Sequence, residues 1–336
     1  MSEIAQIDCG YLATVQAMAD EQWLDPIKNI DFIADAESAK AVLENQAVKF
    51  TELKSTSKKR VVSVEWLTAC EATTTTCTDD CTISGDDATP ECKEYEISCL
   101  RESSFQVYDR VYRERTIEAQ ESIAFNLERR KKLLDEYIAG LIVLGMVANA
   151  GTNVFTGAPG TVAAAVTTIP AASWNDMIWG YLNRVIRGNK FKDPYLVTGD
   201  NLYQLYFNRM YEAANADGKG NAAKIGSIKK IYFDPENVET NAAGNTFLLH
   251  KTALAFINKA WYPQGGANAV RLTADRMAWS EPSRNLPGIM YDVFTERGCS
   301  SNDYYTAFKV QLHGVLALNP GPCSDTNTGI LAFECA

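Results

Sequence analysis

The sequence lacks a long hydrophobic run and an excess of basic residues. Its most apolar segment, Ile138–Ala148, is about half as long as a membrane-spanning helix requires. Residues 2–23 contain neither the basic nor the apolar region of a signal peptide. Lysine and arginine number 32 against 42 acidic residues, and the net charge of −10 argues against groove reading or phosphate tracking on DNA. We expect a folded chain without a membrane span, whose 336 residues can bury a sizeable core.

Catalytic motifs are also missing. Both histidines, His250 and His313, lie in apolar strand-like runs, where a histidine is more often a packing or interface residue than a base. Neither G-x-S-x-G nor H-E-x-x-H occurs, and "GAPGTV" at 157–162 lacks the Gly-Lys-Ser/Thr ending of a phosphate-binding loop. The run "ERRKKLLDE" at 128–136 could contact phosphate, but a solvated helix face with internal ion pairs is the simpler interpretation. We predict that the chain is not an enzyme and needs no cofactor.

Cysteine is unevenly distributed, with five of the nine residues in one short region: Cys70, Cys77, Cys81, Cys92 and Cys99. Cys77 and Cys81 have the spacing of one zinc-binding pair, but no second close pair follows. The acidic stretch "DDCTISGDD" does not match the ligand register of an EF-hand calcium loop. Without a secretion signal, reduced thiols are the default expectation. A zinc site, disulfides, a calcium loop and free or intersubunit thiols therefore remain open.

Period-two alternation flanks this cysteine-rich region on both sides. Val62, Val64 and Trp66 alternate with polar neighbours, and Tyr95, Ile97 and Cys99 do so on the other side. The loop between them, residues 70–92, holds six acidic residues and no basic ones. The pattern predicts a long β-hairpin with an acidic tip.

A long helical pattern follows over residues 104–149. This stretch has no proline, and its apolar positions recur at spacings of three and four, at Leu127, Leu134, Ile138, Leu141 and Gly145. Its first half is polar on most sides. We therefore expect one very long helix that lies on a surface or is covered by other subunits.

The rest of the chain alternates between helical and strand patterns. We predict a helix after an N-cap at Ser173, a helix from Asp200 to about Gly218, and a strand that stops at Pro235. Residues 263–288 look irregular. The segments "GIMYDVFTERG" and "YYTAFKVQLHGVLALNP" predict two antiparallel strands. The fold class is α+β, as one unit with a protruding hairpin and an N-terminal arm. Residues 1–50 contain helical hints such as "AESAKAVLENQAV" and indicate an extended arm with helical pieces rather than a compact core.

The order of these elements resembles that of the major capsid protein of tailed double-stranded DNA bacteriophages, the Hong Kong 97-type shell fold. The residue patterns of four segments are similar to those of that family: "WNDMIWGYLNRVIRGNKFKDPYLVTGDNLYQLYFNRM", "IKKIYFDPENV", "FLLHKTALAFINKAWY" and "KVQLHGVLALNPGPCSDTNTGILAFECA". The resemblance implies an N-terminal arm (1–50), an E-loop hairpin (51–103), a P-domain with the spine helix (104–169), an A-domain (170–260) and a remainder whose C-terminal strands return to the P-domain (261–336).

The resemblance implies a structural subunit that self-assembles into an icosahedral shell around a phage genome. The implied partners are the chain itself, as hexamers and pentamers, a separate scaffold, a portal, and optional cement or decoration proteins. Contact with packaged DNA would be non-specific, and the location would be the virion capsid, with assembly in the host cytoplasm. The lysine crosslink of some relatives is not expected here, because residues 70–92 contain no lysine.

Two other functions fit the same sequence features. An encapsulin-like nanocompartment shell would share the fold, whereas a virion-surface or cell-surface binding protein would use a disulfide-stabilised loop. For the shell interpretation, we hypothesise that two or more of the five clustered cysteines pair in mature particles and brace the polar loop.

Overall fold

The structure is a computed structural model. It describes residues 33–46, 49–50, 60–66, 91–110, 116–163, 165–175, 177–200, 202–207, 226–300, 303–319 and 328–335. Most of the predicted N-terminal arm, the acidic hairpin tip and the end of the helix predicted near Gly218 lie outside these residues.

The described residues contain α-helices and three β-sheets. The described helices include α1 (Glu37–Asn45), α2 (Thr116–Ala148), α3 (Met177–Gly188) and α4 (Pro235–Ala242). A three-stranded antiparallel ribbon consists of β1 (Lys49–Phe50), β2 (Val61–Trp66) and β3 (Glu91–Glu96). The mixed α+β class is confirmed.

The other two sheets have six strands each among the described residues. The central sheet contains β4 (Ser98–Tyr108), β10 (Leu254–Asn258), β11 (Val270–Thr273), β12 (Arg276–Pro282), β13 (Met290–Ser300) and β14 (Asp303–Leu318). The side sheet has the order β5-β6-β15-β9-β7-β8, with strands β5 (Thr161–Ala163), β6 (Val166–Ile169), β7 (Tyr195–Thr198), β8 (Lys230–Phe233), β9 (Thr246–Leu249) and β15 (Ile330–Cys335).

Strand β14, with 16 residues, organises the central sheet. One of its edges pairs with β13 and then with β10, and the opposite edge pairs with β4. Gly314 is the position where β10 and β4 flank β14, opposite Asn258 and Ser98. A Cβ atom there would lie 2.9 Å from the carbonyl oxygen of Ile257, so the close approach of the strands requires glycine.

The two faces of the central sheet have different partners. Phe308, Val310 and Leu312 lie on one face of β14 and pack with the inner side of α2 in the largest core cluster. Because side chains alternate along a strand, Val315 and Ala317 point to the opposite face, where they pack with the ribbon. The ribbon contributes its buried alternating residues to this smaller cluster: Val62, Val64, Trp66 and, just after β3, Ile97.

Helix α2 is 33 residues long, or about 50 Å at 1.5 Å per residue. Its inner stripe contains buried apolar residues at helical spacing: Ile123, Leu127, Leu134, Ile138, Ile142 and Met146. The most apolar segment, Ile138–Ala148, is therefore a helix end that is buried on its inner side, as expected, but exposed at Leu144 and Val147 on its outer side. No helix in the described ranges is long and apolar enough to cross a membrane.

Charged residues occupy the middle of this buried stripe. Lys131 is 2% exposed, and its Nζ lies 2.5 Å from Oε1 of Glu128 and 3.1 Å from Oε2 of Glu281 in β12. The Trp279 indole N–H donates to the other oxygen of Glu281 at 2.9 Å. Burial lowers the pKa of Lys131, but the carboxylates of Glu281 and Glu128 outweigh it and hold the pKa above its ordinary value.

Asp135, one turn further along α2, is fully buried and ties the helix to the turn between β12 and β13. Its carboxylate accepts hydrogen bonds from the Ser283 hydroxyl at 2.8 Å, the Asn285 amide at 3.0 Å and the Tyr291 hydroxyl. Burial raises the pKa of Asp135, and these three donors reduce the rise without cancelling it. The Asn285 side chain also accepts the backbone N–H of Ala34, so the residues just before α1 are held at the β12–β13 turn.

Helix α1 packs in the largest core cluster, with Ala39, Ala41 and Val42 fully buried. The Asp234 carboxylate, which caps α4, accepts the Ser38 backbone N–H at 2.9 Å and the Ser38 hydroxyl. The helical piece expected in "AESAKAVLENQAV" is therefore confirmed as α1. It packs in the core instead of extending from it, because one side of this helix is apolar enough to be buried.

Several other sequence predictions were wrong. The run 128–136 is not a solvated face, since Glu128, Lys131 and Asp135 are buried. The helical prediction fails from residue 104 to Tyr108, which belongs to β4 and pairs with β14. Residues 263–288 contain β11 and β12 instead of an irregular segment.

The caps and strand ends gave mixed results. Ser173 closes a short 3-10 turn, and the Asn175 side chain accepts the backbone N–H of Met177 at the start of α3. The strand predicted to stop at Pro235 does so, and that proline is the first residue of α4. The two C-terminal strands are confirmed as β13 and β14, which pair antiparallel.

Adjacent lysines on α2 provide a matched stability test. The change Lys131→Ala leaves Glu128 and Glu281 buried without a cation, which we expect to cost about 3–5 kcal/mol of unfolding free energy. The change Lys132→Ala removes only a partly exposed ion pair with Glu136 at 3.6 Å, an interaction of about 0.2–1 kcal/mol. Urea unfolding midpoints measure both changes. Equal losses in the two variants would show that the buried triad does not hold the helix.

Candidate assembly surface

The outer side of α2 carries large apolar residues that this chain leaves in solvent. Leu133, Leu144 and Val147 are 46%, 50% and 42% exposed. The latter two follow Leu133 by eleven and fourteen positions, or close to three and four helical turns, so all three lie on one side of the helix. They form an outer row opposite the buried stripe.

A shallow groove of about 360 Å³ borders this row near Leu133. Phe125, Arg129, Lys132 and Glu136 provide its other walls, so the groove has both apolar and charged lining residues. Partial burial raises the pKa of Glu136, and the Lys132 ammonium opposes that rise. The outer row and the groove together give α2 a mixed apolar and charged surface of the kind found at protein interfaces.

The ribbon supplies the second part of the candidate surface. β2 and β3 pair in register from Val61 opposite Glu96 to Trp66 opposite Glu91, which confirms the predicted hairpin pairing. Trp66 is 1% exposed at the last described pair, so the described part of the ribbon lies against the central sheet. The acidic tip, which follows this pair, lies outside the described residues.

Two of the five clustered cysteines, Cys92 and Cys99, lie within the described residues. Cys70, Cys77 and Cys81 fall outside the described residues, and Cys92 is paired in β3 opposite Glu65 without a described side chain. Cys99 lies in β4 as an exposed free thiol, so grouping it with the buried face of Tyr95 and Ile97 was wrong. The chain breaks its strand at Ile97 and turns from the ribbon into the central sheet, which ends the alternation. The pairing of these cysteines stays a prediction.

Two further exposed free thiols were not singled out from the sequence, Cys299 at the end of β13 and Cys335 at the end of β15. Cysteine count alone did not distinguish them from buried thiols. Within the described ranges, no group of three or more His, Cys, Asp or Glu side chains could hold a metal ion.

Both histidines pack in the structure. The His250 ring donates from Nδ1 to the carbonyl of Lys251, and burial lowers the pKa of this imidazole. His313 Nδ1 lies 3.2 Å from Oδ2 of the fully buried Asp292, and the ring edge meets Trp261 with centroids 6.0 Å apart. This second contact joins β13, β14 and the segment after β10.

Three solved structures illustrate what the chain resembles. The cyanophage A-1(L) capsid asymmetric unit shares 13% identity over 88% of this chain and 92% of that one, with a TM-score of 0.47. The asymmetric unit of the mature capsid of bacteriophage PhiM1 shares 8% identity over 84% of each chain, with a TM-score of 0.45. The capsid of Ralstonia phage GP4 shares 13% identity over 84% of this chain and 85% of that one, with a TM-score of 0.42.

These structural neighbours are phage capsid proteins. No protein-family model matches the chain, and no curated protein matches it. At these identities and TM-scores the likeness is distant, and it assigns no function by itself.

Cys99 offers a test of the described surface. Partial burial and the nearby Glu102 carboxylate raise the pKa of this thiol, so its reactive thiolate is scarce at neutral pH. We expect slow alkylation of Cys99 in the folded chain at pH 7, faster alkylation as the pH rises, and faster alkylation at pH 7 in Glu102→Gln. Mass spectrometry of labelled peptides gives the rates, and Glu296→Gln on β13 is the control. A Glu102→Gln rate equal to that of the control would contradict the placement.

Proposed function

We propose that this chain is a major capsid protein, a structural subunit that self-assembles into the icosahedral shell around the double-stranded DNA genome of a phage. The observation that carries the proposal is the outer row of α2. A helix about 50 Å long, fixed on one side by a buried ionic network, exposes three large apolar residues on the other. A second copy that covers this row would bury it.

The ribbon supports the same proposal. It lies on the opposite face of the central sheet from α2, so the two features can contact different neighbours. Contacts of this head-to-tail kind close into rings and shells when the rotation between copies closes. The net charge of −10 suits a container that must not adhere to the DNA inside it.

Within this proposal, α2 is the spine helix, the ribbon is the base of the E-loop, and the central sheet with β11–β14 belongs to the P-domain. The side sheet with α3 and α4 corresponds to the A-domain. Hexamers and pentamers of the chain, with a separate scaffold and a portal, complete the assembly. The sequence resemblance implies the same assignment for α2, β7–β9, α3 and α4, but it places β5, β6 and β15 with the P-domain and β10 with the A-domain.

Electron microscopy of the purified chain, alone or with a co-expressed scaffold, tests the proposal. We expect closed icosahedral particles or six-fold and five-fold capsomers. A chain that stays monomeric under all of these conditions would refute it. Nucleic-acid content separates the shell types, since an encapsulin-like shell would enclose a protein cargo instead of DNA.

A matched pair of substitutions at Leu144 tests the role of the outer row. The change Leu144→Glu places a charge at the centre of the proposed contact and should prevent particle formation, while Leu144→Met keeps an apolar side chain and should assemble. Because Leu144 is half exposed, neither change should alter the unfolding free energy of the isolated chain by more than about 0.5 kcal/mol. Normal particles from Leu144→Glu would exclude the outer row as an interface.

A further inference from the structure

The outer side of α2 has two different halves. Its N-terminal half carries the groove, whose lining includes Leu133 and Glu136. Its C-terminal half carries two side chains that project into solvent, Leu144 and Val147. The same helix therefore presents a recess at one end and two apolar projections at the other.

These residues are spaced equally in both directions from Gly140. Leu133 and Val147 lie seven positions on either side of it, and Glu136 and Leu144 lie four positions on either side. In an antiparallel pair of such helices that cross at Gly140, Val147 of one copy lies opposite Leu133 of the other. Leu144 lies opposite Glu136 in the same pair. The two projections of each copy thus meet the groove of the other copy, and a two-fold axis fills both grooves at once.

Gly140 suits the crossing point, because the distance between packed helices depends on the side chains where they touch. It is partly exposed and has no side chain. A Cβ atom there would lie 3.5 Å from Nδ2 of Asn241 and 3.6 Å from Oδ1 of Asn237, which is ordinary van der Waals contact. Helix α4 therefore borders the outer row and leaves its large apolar residues exposed.

Charge favours an antiparallel pair over a parallel one. The groove half of α2 carries Arg129 and Lys132, whereas residues 137–148 contain no charged side chain. The last turn of α2 also has no basic residue to offset the negative end of the helix dipole. In a parallel pair, the basic residues of the two copies would face each other and repel. In the antiparallel pair they lie beside the C-terminal end of the other helix, where positive charge is favourable.

We propose that two copies of this chain pack through α2 across a two-fold axis, antiparallel and centred on Gly140, with Leu144 and Val147 of each copy in the groove of the other. This inference rests on the proposed function, since it names the partner of the outer row in the shell. The contact uses the same surface on both copies, so it cannot close a ring and instead joins subunits of neighbouring rings. One helix pair covers less area than a standard interface of about 1,600 Å², so the contact is weak in solution and is strengthened by repetition in a particle.

A charge-pair exchange in the full chain tests this packing. Leu133→Lys and Val147→Glu, each made alone, place a charge in an apolar contact and should lower the particle yield at least about tenfold. The double variant should restore most of that yield, because the two-fold axis places the new lysine of one copy beside the new glutamate of the other. Within one chain the two positions are about 21 Å apart along α2, too far for an ion pair, so recovery requires the second copy.

The matched control is the double variant with Leu133→Glu and Val147→Glu, in which like charges face each other and no recovery is expected. The two positions are 46% and 42% exposed, so these variants should fold, and urea unfolding checks that they do. Recovery no greater than that of the control would overturn the proposal.

Photo-crosslinking decides the question if a variant fails to fold or if the chain forms no particles. Leu133 is replaced with photoreactive p-benzoyl-L-phenylalanine, and particles or the concentrated chain, mixed from isotope-labelled and unlabelled copies, are irradiated. We expect crosslinks to the peptide that contains Val147 of a second copy, and none to that peptide when the probe replaces Met177 on α3.

Crosslinks from position 133 only to another segment of the chain or to a co-expressed scaffold would overturn the packing, even where particles form. Pairs crosslinked between positions 133 and 147 in a chain that forms no particles would support the packing and contradict the proposed function alone.

Discussion

The buried ion pairs of Lys131 are the constraint on which the rest of the structure depends. Its ammonium group joins Glu128 on the same helix to Glu281 on β12, and Asp135 joins the next turn of α2 to the β12–β13 turn. If the contact between α2 and the sheet were purely apolar, the helix could pack in a position shifted by one turn. The buried Lys131 excludes such a shift, because its carboxylate partners are within reach at only one position. These contacts fix which side of α2 faces the sheet and, as a consequence, which residues form the outer row.

The central sheet transmits this arrangement to the second surface. One face of β14 is covered by α2 and the other by the ribbon, so a single strand sets the positions of both features. Gly314 allows β4 and β10 to approach the two edges of that strand. The chain can therefore present a helix on one side and a ribbon on the other, each positioned by a shared core. A subunit with two differently directed contact surfaces is what a closed shell requires.

The sequence predicted the features that depend on local periodicity. Alternation at Val62, Val64 and Trp66 identified one buried face of β2, because strand side chains point to alternate sides. Helical spacing likewise identified Leu127, Leu134 and Ile138 as the inner side of α2. In both cases the pattern is set by residues close together in the chain.

Features that depend on distant partners could not be predicted in this way. Spacing of i and i+4 at Lys131 and Asp135 is the same for an exposed ion pair as for a buried network, and Glu281 decides between them from far along the chain. Phe105 was assigned to a helix because its stacking partner, Phe308, is equally remote. The sequence did contain one signal for the buried network. Lys131 and Asp135 lie at the helical spacing of the buried apolar residues of α2, on the same side of the helix. For Cys299 and Cys335 the sequence carried no comparable signal.

The most direct test of the account is an electron-microscopy reconstruction of the assembled protein at side-chain resolution. The account predicts that Leu133, Leu144 and Val147 are covered by a neighbouring copy at every symmetry-distinct position, with α2 in the register that pairs Lys131 with Glu281. An assembled particle in which this outer row faces solvent in all copies would contradict it.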